Sequence, residues 1–137
     1  MNIAELRTAG LGFDVAYRFL LTPIGNIRAD VAGTWLHRFE KTVAGNRVVL
    51  GLNVYDYGVN PSLKLNVNVQ WAKDGWAAAA TVRFVGPYRE CEFLDCQEMN
   101  ERARDVAPYA TLNLQLSKEL RSPLRRSEFA VGILNAP

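Results

Sequence analysis

The stretch Leu63-Lys64-Leu65-Asn66-Val67-Asn68-Val69-Gln70-Trp71 alternates strictly between apolar and polar side chains. Successive side chains of a β-strand point to opposite faces. A period of two therefore puts Leu63, Leu65, Val67, Val69 and Trp71 on one face, opposite Lys64, Asn66, Asn68 and Gln70. A helix would need apolar positions every three or four residues, which this stretch does not supply.

Working outward, five more segments share the pattern, so that six strands are expected in all. Leu11 to Leu21 sets Phe13, Val15, Tyr17 and Phe19 against Asp14, Ala16 and Arg18. Asn26 to Phe39 sets Ile27, Ala29, Val31, Gly33 and Trp35 against Arg28, Asp30, Ala32 and Thr34. Trp76 to Tyr88 sets Trp76, Ala78, Ala80, Val82 and Phe84 against Ala77, Ala79, Thr81 and Arg83. Its alanine run would suit a helix on propensity alone, but Gly75 before it and the β-branched Thr81 and Val82 within it favour a strand. Tyr109 to Leu120 alternates Leu112, Leu114 and Leu116 with Thr111, Asn113 and Gln115, and a short sixth segment runs from Glu128 to Leu134.

The connections alternate in length. Thr22-Pro23-Ile24-Gly25, Lys73-Asp74-Gly75 and Arg121 to Arg126 are short and rich in turn formers, whereas Lys41 to Pro61 and Arg89 to Pro108 are long. Short and long connections in alternation are what a barrel with tight turns at one rim and long loops at the other produces. The stretch from Trp76 to Tyr88 spans on the order of 28 Å, taking about a dozen residues at roughly 3.3 Å each and a tilt of about 45°. That length matches a hydrocarbon core with its interfaces. Trp35, Trp71, Trp76 and Tyr88 then become candidates for the aromatic belt at the lipid interface.

Composition agrees with a folded β protein and excludes several functions. The chain has 137 residues, 49% hydrophobic and 10% aromatic, which is too apolar for intrinsic disorder. A net charge of +2 and a pI near 8.7 give no basic patch for nucleic acid. Mean hydropathy is −0.07, a value that transmembrane β-strands share with soluble proteins because their two faces average out. No run approaches the roughly 20 apolar residues of a spanning helix. Met1 to Arg7 shows no basic segment leading into an apolar core, so an export signal is expected upstream of this sequence if the strands belong in an outer membrane. The same alternation also fits a soluble β-rich ligand-binding domain, with the apolar faces turned inward to a core.

Asn60-Pro61-Ser62-Leu63-Lys64-Leu65-Asn66-Val67-Asn68, followed by Trp71, Gly75-Trp76 and Thr81-Val82-Arg83-Phe84-Val85-Gly86-Pro87-Tyr88, resembles a late barrel hairpin of TonB-dependent outer-membrane receptors. Val106-Ala107-Pro108-Tyr109-Ala110-Thr111-Leu112-Asn113-Leu114-Gln115-Leu116 resembles the strand that follows it in that family, and Gly10-Leu11-Gly12-Phe13-Asp14 resembles an earlier strand entry. The resemblance covers nearly all of residues 1–137 and implies an all-β fold: an antiparallel meander of about six strands from a transmembrane barrel. It implies a place in the outer membrane, contact with lipid, and a share in the uptake of scarce ligands such as siderophores, cobalamin or saccharides. The family's plug domain, which engages the TonB-type energy-coupling protein, has no counterpart among these residues, nor does the closing terminal strand. Family barrels have about 22 strands, and six cannot close one, because about eight is the minimum. The expected role is therefore wall and outer-loop surface of a larger barrel, completed by the remaining strands and the plug. A truncated gene product without independent function is the further alternative.

Residues on the polar faces are the candidates for touching plug or ligand: Arg28, Asp30, Lys64, Asn66, Asn68, Gln70, Arg83, Asn113 and Gln115. Cys91 and Cys96 share the second long connection, where a local disulfide, free thiols and a metal site all remain open. Glu90, Glu92, Asp95 and Glu98 crowd the same loop and read first as a solvated acidic stretch, as Tyr55-Asp56-Tyr57 reads first as rim surface. His37, the single histidine, has neither a nucleophile nor a second ligand in its sequence context. No pattern for catalysis or for a cofactor is present, so an enzyme is not expected.

Overall fold

The computed structural model describes residues 5–21, 23–43, 47–55, 60–90, 104–122 and 125–136. Among them ten strands form: β1 (Glu5–Leu21), β2 (Gly25–Val43), β3 (Arg47–Leu50), β4 (Val54–Tyr55), β5 (Leu63–Lys73), β6 (Trp76–Val85), β7 (Tyr88–Glu90), β8 (Arg104–Val106), β9 (Tyr109–Ser122) and β10 (Arg125–Ala136). No helix occurs among the described residues.

The six long strands pair in the order β1-β2-β5-β6-β9-β10, an antiparallel meander that leaves β1 and β10 as edges. The tight turns account for the hairpins β1–β2, β5–β6 and β9–β10, because such a turn returns the chain beside the strand it has left. β2–β5 and β6–β9 pair instead across the long connections. Asp74 and Gly75 both take positive φ, 49° and 78°, as a two-residue hairpin loop requires. A Cβ on Gly75 would also stand 3.0 Å from the Glu119 carbonyl oxygen. Gly25, at φ 102°, opens β2, and a Cβ there would meet the Ala72 carbonyl oxygen at 2.6 Å. Glycine is thus required twice over at the first turn, by backbone angle and by space.

Several expected boundaries change: β2 runs on to Val43, and β10 opens at Arg125 and is 12 residues long, where a short segment from Glu128 was expected. β1 starts at Glu5, six residues before the alternation becomes clean, with Glu5 and Arg7 paired at 2.8 Å along the strand. Their opposite charges hide the strand from a hydropathy pattern. β6 ends at Val85, because Pro87 carries no N–H for a ladder, and the Gly86 N–H bonds instead to the Leu63 carbonyl at 2.8 Å. Tyr88 therefore opens β7 and does not continue β6.

The long connections are not bare loops. β3 folds back on β2 from Glu40↔Leu50 to Val43↔Arg47. A second, three-stranded sheet has the order β4-β7-β8, with β4 and β7 parallel and β7 and β8 antiparallel. Asn53 organises it from a left-handed conformation, φ 57°. Its N–H donates to the Asn60 carbonyl, its side-chain oxygen accepts the Ser62 N–H, and its carbonyl accepts the Arg89 N–H. Asparagine tolerates that backbone angle better than most residues.

By backbone proximity the chain divides into two compact units. The first comprises Met1–Phe13, Gly33–Lys64 and Phe84–Tyr109, and the second Asp14–Ala32, Leu65–Arg83 and Ala110–Pro137. The first holds the second sheet, with Pro61 as the large side chain most fully buried among the described residues. The second holds the short turns and the clean alternation.

Gly25→Ala is expected to lower the unfolding free energy of the chain by more than about 1 kcal/mol, and so its denaturation midpoint, since it adds both left-handed strain and a backbone clash. Denaturant titration followed by far-ultraviolet circular dichroism measures this. A midpoint equal to wild type would contradict the turn geometry.

Candidate functional site

The second unit displays two chemically different faces. On one, Val69 and Trp71 of β5, Ala78 and Ala80 of β6, Leu114 and Leu116 of β9, and Val131 and Ile133 of β10 line one shallow groove of about 350 Å³. The β9–β10 register, with Val131 opposite Leu116 and Ile133 opposite Leu114, aligns the last strand with this stripe. Exposure rises towards the edge strand: Trp71, Ala78 and Ala80 are half-buried, Val69, Leu114 and Leu116 about two-fifths exposed, and Val131 68% and Ile133 58% exposed. Along β1, Tyr17 and Phe19 meet edge to face with ring centres 4.3 Å apart, as two residues of one strand face should.

Trp71 and Trp76 flank the Asp74–Gly75 turn. The Trp71 indole N–H donates to the Ile24 carbonyl at 2.6 Å, and Lys73 Nζ donates to the Pro23 carbonyl at 2.7 Å. Lys118 Nζ donates to the Asp74 carbonyl at 2.9 Å and stands 4.7 Å above the Trp76 ring. Side chains from a following strand thus close each of these turns, satisfying carbonyls that the ladder leaves open. In the first unit Trp35 is 50% exposed and its ring lies 5.8 Å from that of His37. Tyr88 is half-buried in the second sheet.

The opposite face of the second unit carries the polar candidates, and three of the nine come together. Arg28, Gln70 and Gln115 line one groove of about 410 Å³ with Arg18, Asn26 and Ser117. Asp30 stands beside it, paired with Arg28 through two guanidinium nitrogens at 2.8–3.0 Å. Asn68 is spent on its neighbour strand, donating to Thr81 Oγ at 2.8 Å, while its own oxygen is buried with no partner among the described residues. Asn113 is also spent: its oxygen accepts the Asn135 N–H at 2.8 Å, where β10 becomes irregular. Asn66 and Arg83 are exposed on their strands, and exposed Lys64 belongs to the first unit.

Sequence reading placed Arg18 on the polar face but did not single it out. Parity alone could have nominated it, with Asn26 and Ser117, because each lies two residues from a residue already placed on that face.

The acidic second loop is altered by pairing. Glu90 accepts from Arg104 at 2.7 Å, and Asp105 accepts from Arg89 Nε at 2.9 Å, across the β7–β8 ladder. The Asp105 hydrogen bond, then its charge, raises the Arg89 guanidinium above its ordinary range. A raised cation keeps its contribution until pH passes well into the alkaline range, so salt is the effective lever on this hairpin. Cys91, Cys96, Glu92, Asp95, Glu98, Asp56 and Tyr57 lie outside the described residues. Among those described, no group of three or more His, Cys, Asp or Glu gathers as a metal site.

Amide exchange at residues 88–90 and 104–106 is expected to quicken in Glu90→Arg, and to return towards wild type in Glu90→Arg/Arg104→Glu. Raising salt from about 0.05 to 0.5 M should speed exchange in wild type by screening both exposed pairs. Exchange unaffected by salt and by charge reversal would show that the ladder alone holds this hairpin. No protein-family model, curated protein or solved structure matches the chain, so its own residues carry the functional reading.

Proposed function

We propose that this chain forms part of the wall of a transmembrane β-barrel, with its polar face towards the lumen and its apolar face towards lipid. The observation that carries the reading is the uncovered apolar stripe of β5, β6, β9 and β10. In water, a stripe of that kind must be buried by a second layer or by association, since exposed patches of such extent are rare on soluble monomers. Among the described residues no second layer lies over it. β5 and β6, at 11 and 10 residues, have the length of a tilted bilayer-crossing strand, about 9–11 residues. Trp71 and Trp76 at the short turns suit an interfacial belt.

The finer assignment, to the wall and outer connections of a TonB-dependent receptor, rests on the resemblance of residues 60–88 and 106–116. In that reading the chain contributes surface to the uptake of a scarce ligand. Transport itself requires the remaining strands, the plug and the energy-coupling protein.

Placing the chain in bilayers whose acyl chains carry bromine at defined depths tests the proposal. A form retaining only Trp76 is expected to be quenched most by bromine near the headgroups. Val69→Arg should weaken insertion by about 2–4 kcal/mol, whereas Asn66→Arg on the other face should leave it nearly unchanged. A monodisperse chain in plain buffer, unfolding cooperatively and unquenched by lipid, would establish the soluble β-rich domain instead. Aggregation in buffer together with failure to insert would point to a truncated product.

A further inference from the structure

The groove on the polar face of the second unit has an unusual balance of charge. Its lining supplies two guanidinium groups, Arg18 and Arg28, and no carboxylate. Arg28 is compensated, because Asp30 binds it through both carboxylate oxygens and Asp14 on β1 also acts on it. Arg18 is not: it makes no hydrogen bond or ion pair with any described residue. Around it stand uncharged polar groups, the amides of Asn26, Gln70 and Gln115 and the hydroxyl of Ser117, whose side chains likewise have no partner among the described residues. Amides and hydroxyls both donate and accept, so they match ligand hydroxyls in either sense. Leu20, Ala72, Ala77 and Ala79 give the groove short apolar surface between those groups.

We propose that this groove binds a hydroxylated carboxylate, the chemistry of a sugar acid, with Arg18 taking the carboxylate and Gln70, Gln115 and Asn26 the hydroxyls. Arginine's planar fork pairs two parallel N–H groups with two carboxylate oxygens. The groove's volume of about 410 Å³ falls within the roughly 300–1,000 Å³ of small-molecule sites. The short alanine side chains leave room for the C–H faces of a ring, and no bulky residue of β6 intrudes. The inference goes beyond the barrel reading and does not depend on what covers the apolar face.

The test uses the full chain, in detergent micelles or in buffer, whichever keeps it monodisperse. Because Gln70 lines the groove with its side chain, its side-chain amide resonance reports occupancy. Titration with sodium glucuronate is expected to shift that resonance saturably, with glucose and acetate each binding at least about tenfold more weakly. Arg18→Gln should weaken glucuronate at least about tenfold and leave glucose unchanged, and Arg18→Lys should retain part of the affinity. Gln115→Leu should weaken glucuronate and glucose alike, which keeps the test decisive if an Arg18 variant fails to fold. Equal affinity for glucuronate and glucose, acetate as strong as glucuronate, Arg18→Gln indistinguishable from wild type, or no saturable shift at millimolar glucuronate would each overturn the site. Insertion into bilayers without glucuronate binding would overturn this site alone. Glucuronate binding by a chain that never meets lipid would leave the site standing and remove the barrel reading.

Discussion

The interstrand hydrogen-bond ladder is what the rest of the structure depends on. In most folded domains the core comes first and the ladder satisfies the backbone polar groups that burial would otherwise strand. Here the described residues bury almost no side chain fully, Pro61 being the large exception. Turn geometry and strand pairing therefore hold the arrangement. A ladder supplies only about 0.5–1.5 kcal/mol net for each bond. A single layer with one apolar face accordingly calls for something apolar against that face before it stands in water.

That constraint explains where the chain spends its exacting residues. Gly25 and the Asp74–Gly75 pair sit at the short turns, where a wrong backbone angle would shift a register and turn every side chain of a strand to the other face. Lys73, Trp71 and Lys118 reach across to those turns and bond their free carbonyls. At the long connections the devices differ. Asn53 gathers three backbone segments by hydrogen bonds, and the β7–β8 hairpin is laced by two exposed ion pairs. The hydrogen bonds resist salt and the exposed ion pairs do not.

The division of faces links the two functional readings. An aliphatic stripe that no described residue covers calls for an apolar layer against it. The face behind it presents amides, hydroxyls and guanidinium groups, several of them already bonded to each other. Asn68 and Asn113 look free in a strand pattern, but each is committed to a neighbour, Thr81 in one case and the Asn135 backbone in the other. Among the described residues, Arg18, Asn26, Gln70, Gln115 and Ser117 stay uncommitted within one groove, and Asn66 and Arg83 stay uncommitted outside it.

The sequence by itself determined the strand state, the two faces of each strand and the tight hairpins. A period of two admits no other regular backbone, and a two-residue Asp-Gly turn admits only an adjacent antiparallel return. It also determined that Arg28 and Asp30 would share a face, since they are two residues apart. Only the tertiary structure decided that the Gly86 N–H, just before Pro87, finds its acceptor on β5, more than twenty residues back in the chain. Only it decided that Arg89 meets Asp105, and that Arg18, Gln70 and Gln115 meet at all. Those meetings depend on the stagger of strands far apart in sequence. Non-local pairing fixes that stagger, and alternation within any one strand is blind to it.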